Sequence, residues 1–127
     1  MSSTVLDASA LLALLHRERG FQVVADHIKD AAVSAVNLSE VVARLADRGL
    51  LEQVIRQSLE EMSIVVIPFE TEQAYIAGML RVETRSVGLS LGDRACLALA
   101  RQLRVPALTA DRRWAELDVG INVQVIR

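Results

Sequence analysis

Near its start the chain reads Thr4-Val-Leu-Asp-Ala-Ser-Ala-Leu-Leu-Ala-Leu-Leu15, a run of apolar and small residues interrupted by one acid. The residues before Asp7 favour a short buried strand over Thr4–Leu6. The residues after Asp7 are strong helix formers and are apolar on nearly every side, which favours a buried helix. A buried strand followed directly by a helix is typical of an α/β fold with a parallel sheet.

The same alternation of strand and helix continues to the end of the chain. Further strands are predicted over residues 31–36, 63–67, 105–109 and 121–126, and the intervening helices over residues 21–30, 37–49, 50–62, 71–83 and 90–103, with a helical turn around Trp114. Asn37 and Ser90 are the predicted N-caps of their helices. We therefore expect a three-layer α/β sandwich with a central, mostly parallel five-stranded sheet and helices on both faces.

Length and composition fit one domain over residues 1–127. With 52% hydrophobic and 24% charged residues, the sequence is neither disordered nor fibrous. The single cysteine, Cys96, excludes an internal disulfide and is expected to be an inert core residue. The start lacks a secretory signal pattern, and no apolar run approaches the ~18 residues of a membrane helix. We expect a soluble protein of the reducing cytoplasm.

The formal net charge of −2 argues against nucleic-acid binding through overall positive charge. A polyanion would have to be bound by a local group of positive side chains. Lys29 is the only lysine among the 14 basic residues, and arginine is suited to forked contacts with phosphate. Arg94, Arg112 and Arg113 flank two acids and could hold an RNA or DNA backbone. They could equally be solvated charges on helix surfaces.

Four acids, namely Asp7, Glu40, Asp93 and Asp111, follow the predicted strands or begin the helices after them. Ligands in parallel α/β folds bind beyond the carboxyl ends of the strands, so all four map to that end of the sheet. Each acid also has a purely structural interpretation. Glu40 and Asp93 lie three residues after a predicted cap, as in a capping box, and the other two could be simple N-caps.

Taken together, the four acids indicate a cation site. Two carboxylates about 5 Å apart repel each other by on the order of 3 kcal/mol at an effective dielectric constant of about 20, so a cluster must take up protons or a cation. Oxygen ligands favour Mg²⁺ or Mn²⁺ over zinc, and His16 and His27 are predicted to be solvated and away from the acids. The hydroxyls of Ser9 and Thr109 could orient ligands or water there, although Ser9 could equally satisfy the backbone of the helix after Asp7.

The four acids lie in ordered motifs that together resemble the PIN-domain family, with the closest similarity to VapC toxins. The motifs are Val5-Leu-Asp-Ala-Ser9, Asn37-Leu-Ser-Glu-Val41, Ser90-Leu-Gly-Asp-Arg-Ala-Cys-Leu-Ala-Leu-Ala100 and Leu108-Thr-Ala-Asp-Arg-Arg-Trp114. The resemblance covers the whole chain and implies a PIN-like fold. Trp114 departs from the Phe of many relatives, which affects packing under the last strand and leaves the acids unchanged.

The resemblance implies a metal-dependent endoribonuclease, the toxin of a type II toxin–antitoxin system. Asp7, Glu40, Asp93 and Asp111 match the family's acidic quartet, which binds Mg²⁺ or Mn²⁺ and hydrolyses RNA phosphodiester bonds with activated water. The implied partners are an RNA substrate, a small antitoxin and a second copy in a homodimer. The helix after Asp7, apolar around its circumference, would suit burial against another chain, although burial within the monomer explains it equally well.

Two other classes of protein also cluster acids at the strand ends of an α/β sheet. A phosphoacceptor receiver needs a lysine at a late strand end, where none stands, and an Asp-x-Asp phosphatase needs an acid at Ser9. No glycine-rich phosphate-binding loop is present, which excludes P-loop and dinucleotide-binding proteins. The remaining alternative is a catalytically inactive PIN-fold module that binds a protein partner.

Overall fold

The computed structural model describes all 127 residues. Five short strands alternate with helices along the whole chain. In chain order the elements are β1 Thr4–Leu6, α1 Ala8–His16, α2 Phe21–His27, a 3-10 turn Ile28–Asp30, β2 Ala31–Ser34, α3 Ala35–Asp47, α4 Glu52–Glu60, β3 Val65–Ile67, α5 Thr71–Glu83, α6 Leu91–Leu103, β4 Ala107–Thr109, a 3-10 turn Arg112–Glu116 and β5 Val123–Val125.

The strands form one sheet in the order β3-β2-β1-β4-β5, and all four pairings are parallel. Successive residues of β1 point to opposite faces, so that Val5 joins the core beneath α5 and α6 while Leu6 joins the core beneath α1 to α4. Both faces of the sheet are therefore covered. The predicted three-layer α/β sandwich with a five-stranded sheet is confirmed, and the sheet is entirely parallel.

The helix predicted over residues 71–83 agrees with α5, and the one predicted over residues 90–103, with its N-cap at Ser90, agrees with α6, whereas β2 ends earlier than predicted. Ser34 is the N-cap of α3, because its side-chain oxygen accepts a hydrogen bond of 3.2 Å from the Val36 amide. Asn37 therefore lies inside the helix, and its prediction as the N-cap was wrong. β1 has the predicted bounds, whereas β3, β4 and β5 are each shorter than predicted, with three paired residues apiece.

Helix α1 is covered by its own chain. Ala10, Leu11 and Ala13 are buried, and no residue of α1 is exposed. Its neighbours are α2, α3 and β4. The apolar circumference of α1 therefore follows from packing within the monomer and requires no second chain. No helix in the structure combines the length and apolar character needed to span a membrane.

Candidate metal centre and nucleic-acid groove

A groove of about 310 Å³ opens at the carboxyl ends of the strands and continues between α1 and α3. All four predicted acids, Asp7, Glu40, Asp93 and Asp111, line it. They reach it from four different places: the residue after β1, the second turn of α3, the first turn of α6, and the residue two after β4. The parallel topology thus brings together side chains that are far apart in sequence.

Asp7 is the most buried of these acids, with 4% of its surface exposed. It caps α1: its Oδ1 accepts hydrogen bonds from the Ala10 amide (2.8 Å) and the Ser9 hydroxyl (2.7 Å). Its Oδ2 accepts a third from the Thr109 hydroxyl at 2.5 Å. Burial raises the pKa of Asp7 to about 6; the three hydrogen bonds lower it, and the charge of Asp93 raises it.

Ser9 and Thr109 also connect the end of β1 to the segment after β4. The Ser9 hydroxyl oxygen accepts from the Ala110 amide at 2.9 Å, and the Thr109 hydroxyl oxygen accepts from the Asp111 amide at 3.0 Å. The two hydroxyls are 3.3 Å apart. The prediction that these side chains contact the acidic site is therefore confirmed, and they fix the position of Asp7.

Glu40 is held by a contact between α3 and α6. The Asn37 amide nitrogen donates to Glu40 Oε1 at 2.8 Å and to the Gly92 carbonyl oxygen at 3.0 Å. A Cβ on residue 92 would overlap the Glu40 carboxylate, so glycine is required for this close approach. Glu40 thus accepts from the Asn37 side chain, and the capping-box interpretation of Glu40 was wrong.

The two remaining acids have structural partners as well. Asp93 forms the predicted capping box with Ser90, accepting from the Ser90 amide at 3.0 Å. Asp111 caps the turn that follows β4, and its Oδ2 lies 2.7 Å from the Arg113 guanidinium. This guanidinium hydrogen-bonds to both carboxylate oxygens of Asp111 and holds the pKa of Asp111 below its usual value.

The acids are close enough to influence one another but do not form a ready-made cage. Burial raises the pKa of the Cys96 thiol, and the charges of Asp7, Asp93 and Glu40 raise it further, so three acids lie around one point of α6. However, no three His, Cys, Asp or Glu side chains are arranged to hold a metal ion together. Glu40, Asp93 and Asp111 are each held by a different partner within the chain, which keeps their carboxylates apart.

The profile of the PIN-domain family matches residues 4–120 of the chain. The chain belongs to the PIN-domain family. Among curated proteins, none matches its sequence.

Solved structures of toxin–antitoxin proteins share the fold of this PIN domain. A toxin–antitoxin complex from Klebsiella pneumoniae matches with a TM-score of 0.80 at 23% identity, over 98% of both chains. DNA-bound VapBC from Salmonella typhimurium matches with a TM-score of 0.76 at 17% identity, over 100% of both chains. VapC20 of Mycobacterium tuberculosis, a toxin that cleaves the sarcin–ricin loop, matches with a TM-score of 0.74 at 18% identity, over 94% of this chain and 99% of that one.

Of the three arginines considered for contact with a nucleic-acid backbone, two have partners within the chain, whereas Arg112 is exposed and forms no ion pair. Arg94 donates to the Ala77 carbonyl oxygen at 2.9 Å and joins α6 to α5, while Arg113 is occupied by Asp111. The groove is instead lined by Arg44, Arg48 and Arg127. The sequence did not single out these three residues, because their places in the groove depend on which distant elements face one another in the fold.

Two further predictions concern residues around the groove. His16 is the last residue of α1, at the other end of the helix from Asp7, so it lies away from the acidic end as predicted, but it lines the same groove. Trp114 is fully buried in the core with Val119 and packs near β5, as predicted. Cys96 is buried too, in agreement with its prediction as a core residue.

Proposed function

We propose that this PIN domain, as a single domain over residues 1–127, is a metal-dependent endoribonuclease and the toxin of a toxin–antitoxin pair. The observation that carries the proposal is the convergence of Asp7, Glu40, Asp93 and Asp111 on one groove. The description of VapC20 as a toxin that cleaves the sarcin–ricin loop supports RNA as the substrate class.

The side chains fit a hard divalent cation in donor chemistry. Carboxylate, hydroxyl and amide oxygens surround the acidic end of the groove, and such donors suit Mg²⁺ or Mn²⁺. Protein Mg²⁺ sites are commonly built from one or two carboxylates completed by water and substrate phosphate, so a three-ligand cage is unnecessary. The ligands would be Asp7 and Asp93 first, with Glu40 and Asp111 beside them.

A bound cation would supply a water of lowered pKa and stabilise charge on the scissile phosphate. The chain's own residues prepare that site. Ser9, Thr109 and the Ala10 amide fix both oxygens of Asp7, and Asn37 fixes Glu40 against α6. Carboxylates that are already held in position need little reorganisation when they bind a cation. This preorganisation is the electrostatic contribution to catalysis.

The direct test is cleavage of a mixed small-RNA pool by the purified protein with Mn²⁺. We expect discrete products that disappear with EDTA and in the Asp7→Asn, Asp93→Asn double variant. The matched control is Asp26→Asn, Asp118→Asn, which removes two negative charges from exposed positions. Products that persist in the Asp7→Asn, Asp93→Asn protein would come from a contaminating nuclease and would refute the proposal.

One observation favours the alternative, an inactive module that binds a protein partner: no three-ligand group is formed and Asp111 is paired with Arg113. Thermal unfolding separates the two. Mn²⁺ at millimolar concentration should raise the Tm of the parent but not that of Asp7→Asn, Asp93→Asn if the metal site exists. If Mn²⁺ leaves the Tm of both proteins unchanged, the result would support the inactive module.

We also propose a small antitoxin partner and a homodimer. The VapBC and Klebsiella toxin–antitoxin complexes support an antitoxin.

An apolar face of α5 supports a protein contact, because Tyr75, Met79 and Val82 are 70%, 64% and 57% exposed at helical spacing. Sedimentation velocity of the parent and of Met79→Arg checks whether this face joins two copies. We expect a dimer that the substitution weakens.

A further inference from the structure

The groove changes its charge along α3. Glu40 and Arg44 of α3 and Arg48, its C-cap residue, follow one another at intervals of four residues, so they lie along one side of the helix and its end, and all three line the groove. At 1.5 Å per residue, the two arginines stand about 6 Å and 12 Å along the helix from Glu40. The facing wall is α1, through Ala8, Leu12 and His16. The groove thus has an acidic end at Glu40 and a basic end at the two arginines, directly next to each other.

Neither of these arginines has a partner in the chain. The three ion pairs are Arg56–Glu52, Arg101–Glu83 and Arg113–Asp111. The arginine side chains that donate hydrogen bonds are those of Arg56, Arg94, Arg101, Arg113 and Arg127. Arg44 and Arg48 are exposed and keep all their donors free, although five carboxylates line the same groove.

The other charges of the groove complete its basic end. Arg127 lies in its wall and uses only Nε, which donates to the Ala110 carbonyl oxygen at 3.3 Å. Glu18 and His16 also line the groove, so one acid stands among the three arginines. The free guanidinium groups outnumber it, which leaves this end attractive to an anion next to the carboxylates that would hold the cation.

We propose, on the basis of the proposed ribonuclease function, that Arg44 and Arg48 bind the phosphodiester backbone of the RNA beside the cleaved bond. The groove between α1 and α3 is then the path of the strand. A strand carries one negative charge per nucleotide, so successive phosphates can meet successive arginines on α3. The guanidinium fork is suited to phosphate oxygens, and contacts of this kind position the strand without reading its sequence.

The lining of the groove favours a sugar–phosphate strand over a protein segment. Only 2 of its 13 lining residues are hydrophobic. A docked peptide gains affinity mainly from apolar anchors buried in pockets, which this groove lacks. Backbone contacts to a nucleic acid are polar and strongly positive in character, as this basic end is.

The test measures binding without cleavage. Asp93→Asn protein is titrated against a fluorescent single-stranded RNA of about 12 nucleotides in EDTA at several salt concentrations. Adding Arg44→Gln and Arg48→Gln should weaken binding by about tenfold or more. It should also reduce the slope of log affinity against log salt by about 1.4, the value for two lost phosphate contacts on a single strand.

The matched control adds Lys29→Gln and Arg104→Gln to Asp93→Asn. Both residues are exposed, make no ion pair and precede strands. Their replacement therefore removes two positive charges, as in the groove variant, but at the opposite end of the sheet. If the two sets of variants lose affinity and salt slope equally, the proposal is wrong. Binding of poly-glutamate is measured beside binding of RNA. The proposal is also wrong if the groove variant keeps RNA binding but loses binding of poly-glutamate, because the ligand of the two arginines would then be an acidic protein segment.

The cleavage assay keeps this inference separate from the proposed function. If the parent cleaves RNA and the Arg44→Gln, Arg48→Gln variant binds and cleaves it as well as the parent, the function stands and the backbone site fails. If the parent cleaves no RNA but the salt slope falls by the expected amount, the nuclease proposal fails while the nucleic-acid groove is supported.

Discussion

The Thr109 hydroxyl donates a hydrogen bond of 2.5 Å to Asp7 Oδ2, across 102 residues of sequence. Thr109 ends β4 and Asp7 follows β1, and these strands are neighbours in the sheet. The bond therefore ties the carboxylate to the scaffold from the side opposite its own helix. Because it stabilises the charged form, it opposes the effect of burial on the pKa of Asp7.

Replacement of Thr109 by Val tests the value of this bond. We expect the free energy of unfolding at neutral pH to fall by about 2–3 kcal/mol, because a buried carboxylate loses a donor. Thr4→Val is the matched control, since the Thr4 hydroxyl is buried without a partner. Its replacement should be neutral or slightly stabilising. Urea denaturation of both variants gives the comparison, and equal losses would contradict the assignment.

The pKa of about 6 for Asp7 predicts how stability depends on pH. The folded protein holds this proton more tightly than the unfolded chain, so its contribution is complete below about pH 4 and is lost as pH rises through about 6. The loss amounts to about 3 kcal/mol by pH 7. Asp7→Asn should remove this dependence and be more stable than the parent at pH 7.5.

Chemical denaturation of the metal-free protein at pH 4.5 and pH 7.5 checks this expectation. Asp118→Asn controls for the loss of one negative charge, because Asp118 is exposed. A difference between Asp7→Asn and the parent that is the same at both pH values would show that the raised pKa is wrong.

Gly92→Ala should separate stability from function. An added methyl group overlaps the Glu40 carboxylate, which lies at the end of a flexible side chain and can rotate away at little cost. Alanine is also the better helix former by about 1 kcal/mol, so we expect an unchanged or higher Tm. RNA cleavage should fall at least about tenfold, because Glu40 is displaced from its bond to Asn37.

Gly78→Ala is the control for the helix effect alone. A methyl group at residue 78 meets no atom within 4 Å, so stability should rise and cleavage should be unchanged. If both glycine variants cleave RNA like the parent, the position of Glu40 does not matter for the reaction.

Arg113→Ala tests whether the pairing with Asp111 competes with a metal ion. Removing the guanidinium frees Asp111 Oδ2, while Oδ1 still accepts from the backbone amide of residue 113. It also removes one nearby positive charge, so Mn²⁺ affinity should rise by a factor on the order of three. Calorimetric titration measures it. The control is Arg112→Ala, because Arg112 is exposed and forms no ion pair. Weaker Mn²⁺ binding by Arg113→Ala than by Arg112→Ala would show that Arg113 helps to hold the site.

Much of the fold could be predicted from sequence, because apolar periodicity and end signals act locally. The bounds of α5 and the cap at Ser90 depend on neighbouring residues and were predicted correctly. The convergence of the four acids also followed, since parallel strands place their carboxyl ends at one edge. The end of β2 was missed because Ser34, Asn37 and the small residues between them are compatible with both strand and helix.

The contacts that determine the site in detail join residues distant in sequence. The bond from Asn37 to the Gly92 carbonyl spans 55 residues, and no local pattern indicates it. The free arginines of α3 were missed for the same reason, because their importance depends on α1 forming the opposite wall. Sequence patterns thus located the acids, and packing between helices determined their partners.

The position of β4 between β1 and β5 has a consequence for synthesis of the chain. On the ribosome, β1, β2 and β3 emerge first and can pair, but one edge of β1 stays open until β4 is made. A nascent chain that ends before Thr109 has Asp7, Glu40 and Asp93 but lacks the strand that fixes Asp7. Translation interrupted before β4 therefore leaves an incomplete groove, and the site that we propose for RNA cleavage is completed only in the last steps of synthesis.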